Sequence, residues 1–431
     1  MKSKLIRKEI PNDDLTPIHC FKTVGGVGCC ILEFGKSSLV GIAPFATYRA
    51  TGRSIEIEVH GKKRVLEGDP YEVLKDFIKE RQAFGFICYD AVRLKELLPD
   101  RHPSIGIPDL FFHLYQTVIT FDHDHHKIIY THEGTQEELD AILAQCYEST
   151  RLKPFKNPKK LDIQASLSSK EYAALVETAK EYIKAGDLFQ VVLSRTFQSA
   201  VQASAFEIYR AIRQTTLAPY LFFFEENDFA IAGGSPELLI SVKEGMIESM
   251  PIAGTSLKGG HVTDLLEIPK ECAEHVMLVD LARNDVGAIA TVGSVRVTDY
   301  KAIQSFSHVN HIVSRVVGKL KSSLHPLDAL KFSLPAGTVS GAPKIRAMEI
   351  IDQLENKRRG PYGGAIVAID ENGDLSSCLA IRMALIRNGE VQVQIGAGIV
   401  LDSEGEKEAL ETEYKARGIL EAIELAEGGV E

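Results

Sequence analysis

The first third of the chain alternates apolar and polar residues in a way that predicts β-strands. Residues 54–59 (SIEIEV) alternate strictly and are followed by a polar turn at His60, which predicts a hairpin. Apolar runs at 84–89 and 110–121 predict two more strands, since short apolar runs bounded by turn residues are typical of buried strands. Residues 1–150 are therefore predicted to be rich in β-structure, with a few helices, one of which is expected to begin at a capping box of Thr135 and Glu138.

Helices and strands alternate irregularly in the remainder of the chain. Ser168 and Glu171 form a capping box that predicts the start of a helix. The other predicted segments are strands at 187–197, 219–224, 229–232 and 294–299, helices at 205–214, 271–284, 306–319 and 340–355, a hairpin at 365–400 and a closing charged helix. This mixed order with antiparallel turns favours the α+β class over a doubly wound parallel sheet.

One stretch predicts a boundary between domains. Residues 151–160, RLKPFKNPKK, are basic, interrupted by proline and without periodicity, which is typical of a linker. We therefore predict an N-terminal domain at 1–150, a linker at 151–164 and a second domain at 165–427.

Composition excludes several classes of protein. Of the 431 residues, 45% are hydrophobic and 25% charged, as in ordinary soluble globular proteins. The net charge of −10 argues against nucleic-acid binding. No apolar run approaches the ~20 residues that span a membrane, and the first residues lack a signal-peptide pattern. Seven cysteines without a Cys-x-x-Cys pair fit a reducing compartment, so a soluble, cytoplasmic protein is expected.

A glycine-rich turn before the predicted helix at 340–355 is a candidate anion site. In LPAGTVSGAPKIRAMEII (334–351), Ser340 is predicted as the N-cap and Pro343 as a first-turn residue. Backbone N–H groups around Gly341 and the positive end of the helix dipole would then face one point. An ordinary capped helix would produce the same pattern.

Paired glutamates on two predicted helices are candidate metal ligands. Glu271 and Glu274 are three residues apart, as are Glu408 and Glu411, so each pair lies on one helix face. Carboxylate oxygens suit Mg²⁺. Solvated acidic faces are the common alternative, but here both pairs adjoin apolar residues.

Four further residues could take part in chemistry. His311 lies in an apolar segment predicted to be helical, where a histidine is either a core residue or a general acid or base. Glu237 follows Gly-Gly-Ser-Pro and could be a helix-start acid or a catalytic one. Arg382 is a charge within an apolar strand and requires an anion, which a ligand carboxylate would supply. Tyr362 could share that anion.

Together these segments resemble the chorismate-utilising enzymes. The resemblance is dense over about 165–425 and loose over 1–150. The segments that carry it are PIAGT (251–255), KECAEHVMLVDLARNDVG (270–287), HIVSRVVG (311–318), AGTVSGAPKIRAM (336–348), GPYGGAIV (360–367), QIGAGIVLDS (394–403) and ETEYKAR (411–417). It implies an anthranilate-synthase-like α/β sandwich of two antiparallel sheets with helices on the outside.

Two positions indicate which reaction the resemblance implies. Relatives that make aminodeoxychorismate typically carry a lysine where this chain has Ala253, and isochorismate and salicylate synthases typically carry one where it has Gln190. The expected reaction is therefore addition of ammonia to C2 of chorismate, giving anthranilate and pyruvate for tryptophan biosynthesis, as in anthranilate synthase component I. Alternatives are synthesis of aminodeoxychorismate or aminodeoxyisochorismate, and a non-catalytic paralogue that only binds.

The resemblance also implies roles for the candidate residues. Mg²⁺ held by Glu274 and Glu411, with Glu271 and Glu408 in or near its shell, would bind the ring carboxylate. Arg382 and Tyr362 would hold the enolpyruvyl carboxylate. His311 and Glu237 would transfer protons, and Thr338 would orient the substrate. Further substrate contacts are expected at Gln190, Ala253, Gly341, Gly396, Ala397 and Gly398.

Two expectations concern ligands other than chorismate. No Gly-x-Cys-x-Gly nucleophile turn is present, so a separate glutamine amidotransferase subunit is expected to supply ammonia. The family's tryptophan-binding motifs are altered, since Phe34 stands where a small hydroxyl residue is usual and 216–220 read TLAPY. Weak or absent tryptophan inhibition is therefore expected.

Overall fold

The computed structural model describes residues 4–148, 152–257, 266–305 and 309–431. Its strands in chain order are β1 (Lys4–Pro11), β2 (Cys30–Phe34), β3 (Ser37–Thr51), β4 (Ser54–Val59), β5 (Lys62–Glu67), β6 (Ala83–Ile87), β7 (Leu110–Asp122), β8 (Lys127–Gly134), β9 (Gln164–Ala165), β10 (Gln190–Ala200), β11 (Tyr220–Glu225), β12 (Ala230–Ser235), β13 (Leu238–Lys243), β14 (Met246–Ser249), β15 (Ile252–Leu257), β16 (Arg296–Ser305), β17 (Val309–Lys319), β18 (Gly341–Ala342), β19 (Ala365–Ile369), β20 (Leu375–Leu379), β21 (Met383–Arg387) and β22 (Glu390–Ile399).

The helices lie between these strands and at the end of the chain. They are α1 (Pro17–Val24), α2 (Pro70–Phe77), α3 (Gln136–Cys146), α4 (Ser169–Lys184), α5 (Ala205–Thr215), α6 (Pro269–Ile289), α7 (Pro326–Ser333), α8 (Lys344–Leu354) and α9 (Gly405–Glu427). The capping boxes predicted from sequence at Thr135 and Ser168 are confirmed at the starts of α3 and α4.

The strands form two antiparallel arms that meet at β3 and β7. One arm runs from β3 through β2, β11, β12, β21 and β22 to β10. The other runs from β7 through β6, β19, β20, β13 and β14 to β17. All the described pairings are antiparallel, and the arms join into one hydrogen-bonded network because β3 pairs with β7. The predicted α+β class is confirmed.

Three apolar layers show how the two arms pack. Between the arms, side chains such as Phe86 of β6, Phe222 of β11 and Ile366 of β19 form a fully buried cluster. Outside the first arm, α5 and α9 contribute residues such as Ile212 and Ile423 to a second cluster. Outside the second arm, α2, α6 and α7 cover a third cluster. Helices therefore lie on the outer faces of a two-sheet sandwich, as burial of one face of each sheet requires.

Two sequence predictions about local structure were wrong. The segment 306–319 was predicted to be a helix, but its described part is strand β17, which pairs with β14, β15 and β16. Its valines and isoleucines are β-branched and pack well on a sheet, and a short apolar run has no periodicity that separates helix from strand.

The second correction concerns the start of α8. Ser340 was predicted as its N-cap, but the N-cap is Pro343, which lacks a capping side chain. The Ser340 hydroxyl instead donates to the Ala336 carbonyl at 2.7 Å. The segment 341–342 forms strand β18 against β10 before the helix begins.

The predicted linker lies along the last helix. Phe155 forms a β-bridge with Val430, and the Lys159 N–H donates to the Glu424 carbonyl at 2.9 Å. The division into domains at 1–150 and 165–427 stays a prediction, although β2 and β6 of the first segment pair with β11 and β19 of the second.

The part of the chain that the structure describes contains no helix with the length and apolar character needed to cross a membrane. The seven cysteines all lie in this part and are free thiols, six of them buried.

Candidate active site

A glycine-containing turn between α7 and α8 brings the two arms together. The 3-10 turn Gly337–Val339 contacts α6 of the second arm and strands β10 and β22 of the first. A Cβ built at Gly337 would lie 1.8 Å from Leu281 of α6, so any side chain there would clash. Gly341, with φ +146°, lies against β10, since its Cβ would approach the Gln190 carbonyl oxygen to 2.1 Å. Glycine is required at Gly341, where backbone atoms limit the space, whereas a side chain at Gly337 would have to displace Leu281.

Thr338 in this turn orients a carboxyl group with a shifted pKa. Its hydroxyl donates to Oε1 of Glu237 at 2.8 Å. Burial raises the pKa of Glu237 to about 7, although the Thr338 hydrogen bond opposes that change, because an apolar environment disfavours the charged carboxylate. The side chain can therefore hold or release a proton near neutral pH, as a general acid or base requires. Both residues were predicted from sequence, and the structure brings them together.

A small cavity adjoins this pair. It has a volume of about 50 Å³ and is lined by Glu237 and Thr338 at one side and by Leu281 and Asp285 of α6 at the other. Burial raises the pKa of Asp285, while its ion pair with Lys344, at 3.0 Å, lowers it. The cavity therefore places a second carboxyl group near the catalytic candidate.

Strands β10 and β22 form one wall of the candidate site. On this wall, glycines of β22 lie beside the polar side chain of Gln190 of β10. Gln190 is buried, and its Oε1 has no hydrogen-bond partner within the described residues. A Cβ at Gly398 would lie 3.0 Å from its Nε2. Gly396 lies farther along the same face of β22. The Ala397 side chain points to the opposite face of β22, into an apolar cluster with Leu193. Only the backbone of Ala397 can therefore contact a ligand on the Gln190 side of the strand.

Tyr362 and Arg382 lie together near Gly396. A Cβ at Gly396 would lie 2.7 Å from the Tyr362 hydroxyl oxygen. Burial raises the pKa of Tyr362 to about 12, while the positive charges of Arg359 and Arg382 lower it. Burial also lowers the pKa of Arg382, while Tyr362 and Glu411 raise it. The described part of the chain offers the Arg382 guanidinium no ion pair shorter than 4 Å, so an anionic ligand group could bind it.

The predicted metal ligands lie on two helices. Glu274 is an exposed residue of α6, and Glu408 and Glu411 lie in the first two turns of α9. Glu411 pairs with Lys415 at 2.5 Å, and Lys415 also donates to the Gly396 carbonyl. Among the described side chains, no group of three or more acidic, histidine or cysteine residues is arranged to hold a metal. The Glu271 side chain is outside the described part, so the full set stays a prediction.

His311 and Ala253 lie on paired strands rather than on a helix. His311 of β17 is opposite Thr255 of β15 and Gln304 of β16. Ala253 pairs with Ile312 in the backbone ladder, and its side chain is outside the described part. Helix α6 packs on both of these strands and also contacts the 337–339 turn, which in turn contacts β10 and β22.

Two ion pairs that were not predicted from the sequence lie next to the 337–339 turn and the cavity beside Glu237. Glu355 and Arg359 form a buried pair behind the turn, and Lys344 pairs with Asp285. The i, i+4 spacing of Glu355 and Arg359 before GPYGG was a visible signal. Such charge pairs usually lie on solvated helix faces, so the spacing alone does not indicate a buried pair.

Sequence comparison identifies relatives along almost the whole chain. Residues 31–421 match the family described as chorismate binding enzyme. Anthranilate synthase component 1 of Acetivibrio thermocellus is 36% identical, with 98% of this chain and 95% of that protein covered. The protein of the same name from Aquifex aeolicus is 38% identical, with 92% and 87% covered.

Structural comparison agrees with the sequence relatives. Anthranilate synthase component I from Streptococcus pneumoniae superimposes with a TM-score of 0.82 at 37% identity, covering 95% of this chain and 99% of that one. The menaquinone-specific isochorismate synthase of Escherichia coli, at 16% identity, shares the fold with a TM-score of 0.76. The match over 31–421 and the near full-length relatives show that this chain belongs to the chorismate binding enzyme family.

Proposed function

We propose that this protein is component 1 of an anthranilate synthase, which converts chorismate and ammonia to anthranilate and pyruvate. The observation that carries the proposal is which amino acids occupy positions 190 and 253. Gln190 is a buried amide on β10, and residue 253 on β15 is alanine. Neither supplies the amine that the relatives with other reactions use as nucleophile or base, so external ammonia is left as the attacking group.

The described side chains can assist each half of the reaction. Arg382 and Tyr362 would bind the enolpyruvyl carboxylate through a charge-assisted pair and a hydroxyl donor. Glu237, with a pKa of about 7, would protonate the C4 hydroxyl as it leaves as water and ammonia bonds to C2. Loss of the C2 proton and protonation of the enolpyruvyl methylene then release pyruvate and leave the aromatic ring. His311 would serve in this second half.

The expected metal fits the chemistry of the available donors. Glu274 and Glu411 supply carboxylate oxygens, which Mg²⁺ prefers, and Glu271 and Glu408 lie one helical turn from them. When bound, the ion would neutralise the ring carboxylate of the substrate and withdraw charge from the ring. Lys415 now pairs with Glu411 and would have to leave that carboxylate for the metal to bind through it.

Ammonia would come from a separate glutamine amidotransferase subunit in a cytoplasmic complex. The relatives that align with nearly the whole of this chain are themselves named component 1, which implies a second component. The cavity beside Glu237 has room for a few water-sized molecules, and ammonia is of that size.

The proposal is tested by supplying chorismate, Mg²⁺ and excess ammonium to the purified protein at alkaline pH. We expect anthranilate fluorescence and one pyruvate per chorismate, both abolished by EDTA. Loss of chorismate with a non-fluorescent amino product would show that the reaction stops at an aminodeoxy intermediate. Absence of turnover both with ammonium and with an added amidotransferase and glutamine would contradict an enzymatic role.

The metal assignment has its own test. Glu274→Gln and Glu411→Gln each remove one ligand charge and are expected to raise the Mg²⁺ concentration needed for half-maximal turnover. Lys415→Gln is the matched control on α9, since it frees Glu411 and is expected to lower that concentration. An unchanged Mg²⁺ dependence in both glutamate variants would refute the assignment.

A further inference from the structure

Arg359 is a buried cation that contacts three separate segments of the candidate active site. Arg359 is only 3% exposed to solvent. Nη1 donates to the Val339 carbonyl at 2.5 Å, and Nη2 donates to the Val192 carbonyl at 2.7 Å. The first carbonyl belongs to the turn that carries Thr338, and the second belongs to β10, which begins with Gln190.

The same guanidinium packs on the aromatic side chain predicted to bind substrate. Its carbon lies 5.7 Å from the ring centre of Tyr362 and 4.6 Å from that of Tyr89, within the range of cation–π contacts. A planar cation in contact with both rings restricts the position of the Tyr362 ring, whose hydroxyl lies beside Gly396.

Glu355 fixes the orientation of the guanidinium. Its two oxygens accept from Nε and Nη2 of Arg359 at 2.9 and 2.6 Å. Oε1 also accepts from the backbone N–H and hydroxyl of Ser194, both at 2.8 Å. Arg359 is thus held in one geometry by a carboxylate that is itself anchored to β10.

We propose that Arg359 is a positioning residue for the chorismate reaction, fixing the 337–339 turn, strand β10 and the Tyr362 ring relative to one another. The part of this inference that is tested by measuring turnover rests on the function proposed above. A lysine cannot replace the arginine in this role, because one ammonium cannot reach both carbonyls, match the carboxylate and stack on two rings at once.

Arg359→Lys tests the inference, since it keeps the positive charge that Glu355 requires. We expect the variant to fold, to bind chorismate more weakly by calorimetry with Mg²⁺ and without ammonia, and to lose about 100-fold in kcat/KM, as small displacements of reacting groups do. Both kcat and KM should change, because Thr338 and Tyr362 both move. Amide exchange should quicken at residues 337–341 and 190–194.

Arg49→Lys is the matched control. Arg49 also lies over two aromatic rings, Phe111 and Phe229, and pairs with a glutamate, Glu226, at 2.8 Å. Its polar and ring contacts within the described residues include none with the 337–339 turn, β10 or Tyr362. We expect its kcat and KM to stay at the wild-type values even if its melting temperature falls as far as that of Arg359→Lys.

Several outcomes separate the possibilities. Wild-type chorismate affinity, kinetics and amide exchange in a folded Arg359→Lys would overturn the inference. If that variant does not fold, Glu355→Asp, which shortens the carboxylate and draws the guanidinium away from its carbonyls, replaces it with the same expectations. Calorimetry and exchange remain decisive if wild-type protein makes no anthranilate, so failure of the proposed function is distinguishable from failure of the positioning role.

Discussion

At the scale of single residues, the candidate site depends on how burial changes the protonation of Glu237. An exposed glutamate would be ionised at neutral pH and could not donate a proton. Burial raises the pKa of this carboxyl to about 7, and the Thr338 hydroxyl partly reverses the shift by donating to Oε1. Burial and one hydrogen bond thus act in opposite directions on the pKa of Glu237, so the pH profile of the enzyme is a direct readout of the site.

We predict that kcat, measured at constant free ammonia, falls as pH rises through about 7, because Glu237 must be protonated to act as the acid. Glu237→Gln should remove this limb and lower kcat by about 10²- to 10⁴-fold, the usual contribution of a general acid. Glutamine still accepts the Thr338 hydrogen bond through its amide oxygen, so the fold of the turn should be retained.

Thr338→Val tests the direction of the pKa shift on which this prediction depends. Valine keeps the volume but removes the hydrogen bond that lowers the pKa of Glu237, so the descending limb should move to higher pH. A limb that moves to lower pH, or that persists in Glu237→Gln, would show that another group titrates.

We also predict that Arg382 contributes a charged contact to substrate binding. Arg382→Gln should raise KM for chorismate by roughly ten- to hundredfold, corresponding to the 1.5–3 kcal/mol of a hydrogen bond to a charged group. Tyr362→Phe should have a smaller effect, since a neutral hydroxyl donor is lost. Steady-state kinetics at saturating ammonia measure both. Equal KM values in wild type and Arg382→Gln would show that the enolpyruvyl carboxylate binds elsewhere.

At the scale of elements, the sequence predicted structure well where its signals were local. The turn between β19 and β20, within the hairpin predicted at 365–400, depends on neighbouring residues only. The same holds for the capping boxes of α3 and α4 and for helices α5 and α9. Strand β17 was predicted as a helix because its short apolar run has no periodicity that separates helix from strand, and because two of its partners, β14 and β15, come from an earlier part of the chain. Arg359 was missed because its contacts other than those with Glu355 and Tyr362 reach across 20 to 270 residues of sequence.

The β2–β11 strand pair carries a prediction about feedback inhibition. Phe34 of β2 lies directly opposite Tyr220 of β11, and their rings meet edge to face at 5.5 Å. Glu33 beside it is already bound by Tyr209 and Arg213. We expect no micromolar binding of tryptophan, because an aromatic ring fills the place of a small residue and the carboxylate is occupied.

Calorimetry with tryptophan tests this expectation on the wild type and on Phe34→Ser. The variant removes the ring and should bind tryptophan more tightly than the wild type. Micromolar affinity in the wild type would contradict the prediction, and an unchanged weak affinity in Phe34→Ser would show that Phe34 is not the obstacle.

At the scale of the whole molecule, the two halves of the sequence share their sheets. Strand β6 lies between β7 and β19, and β2 lies between β3 and β11. The apolar layer between the arms takes Phe86 from the first half and Phe222 and Ile366 from the second. Strands from both sides of the predicted linker therefore contribute to one apolar layer, which sequence composition could not reveal because strand pairing is non-local.

We accordingly predict that residues 152–431 do not fold alone, although they contain every candidate active-site residue. Removing residues 1–148 would expose the edges of β11 and β19 and the apolar layer beneath them, and unpaired apolar strand edges promote aggregation. Expressed separately, this fragment should be insoluble, whereas co-expression with 1–148 should restore a soluble complex that binds chorismate. The intact chain should unfold in a single transition when far-UV and near-UV circular dichroism are compared. A soluble fragment 152–431 with wild-type chorismate affinity would show instead that the second half is an autonomous domain, and that the shared strands contribute little to its stability.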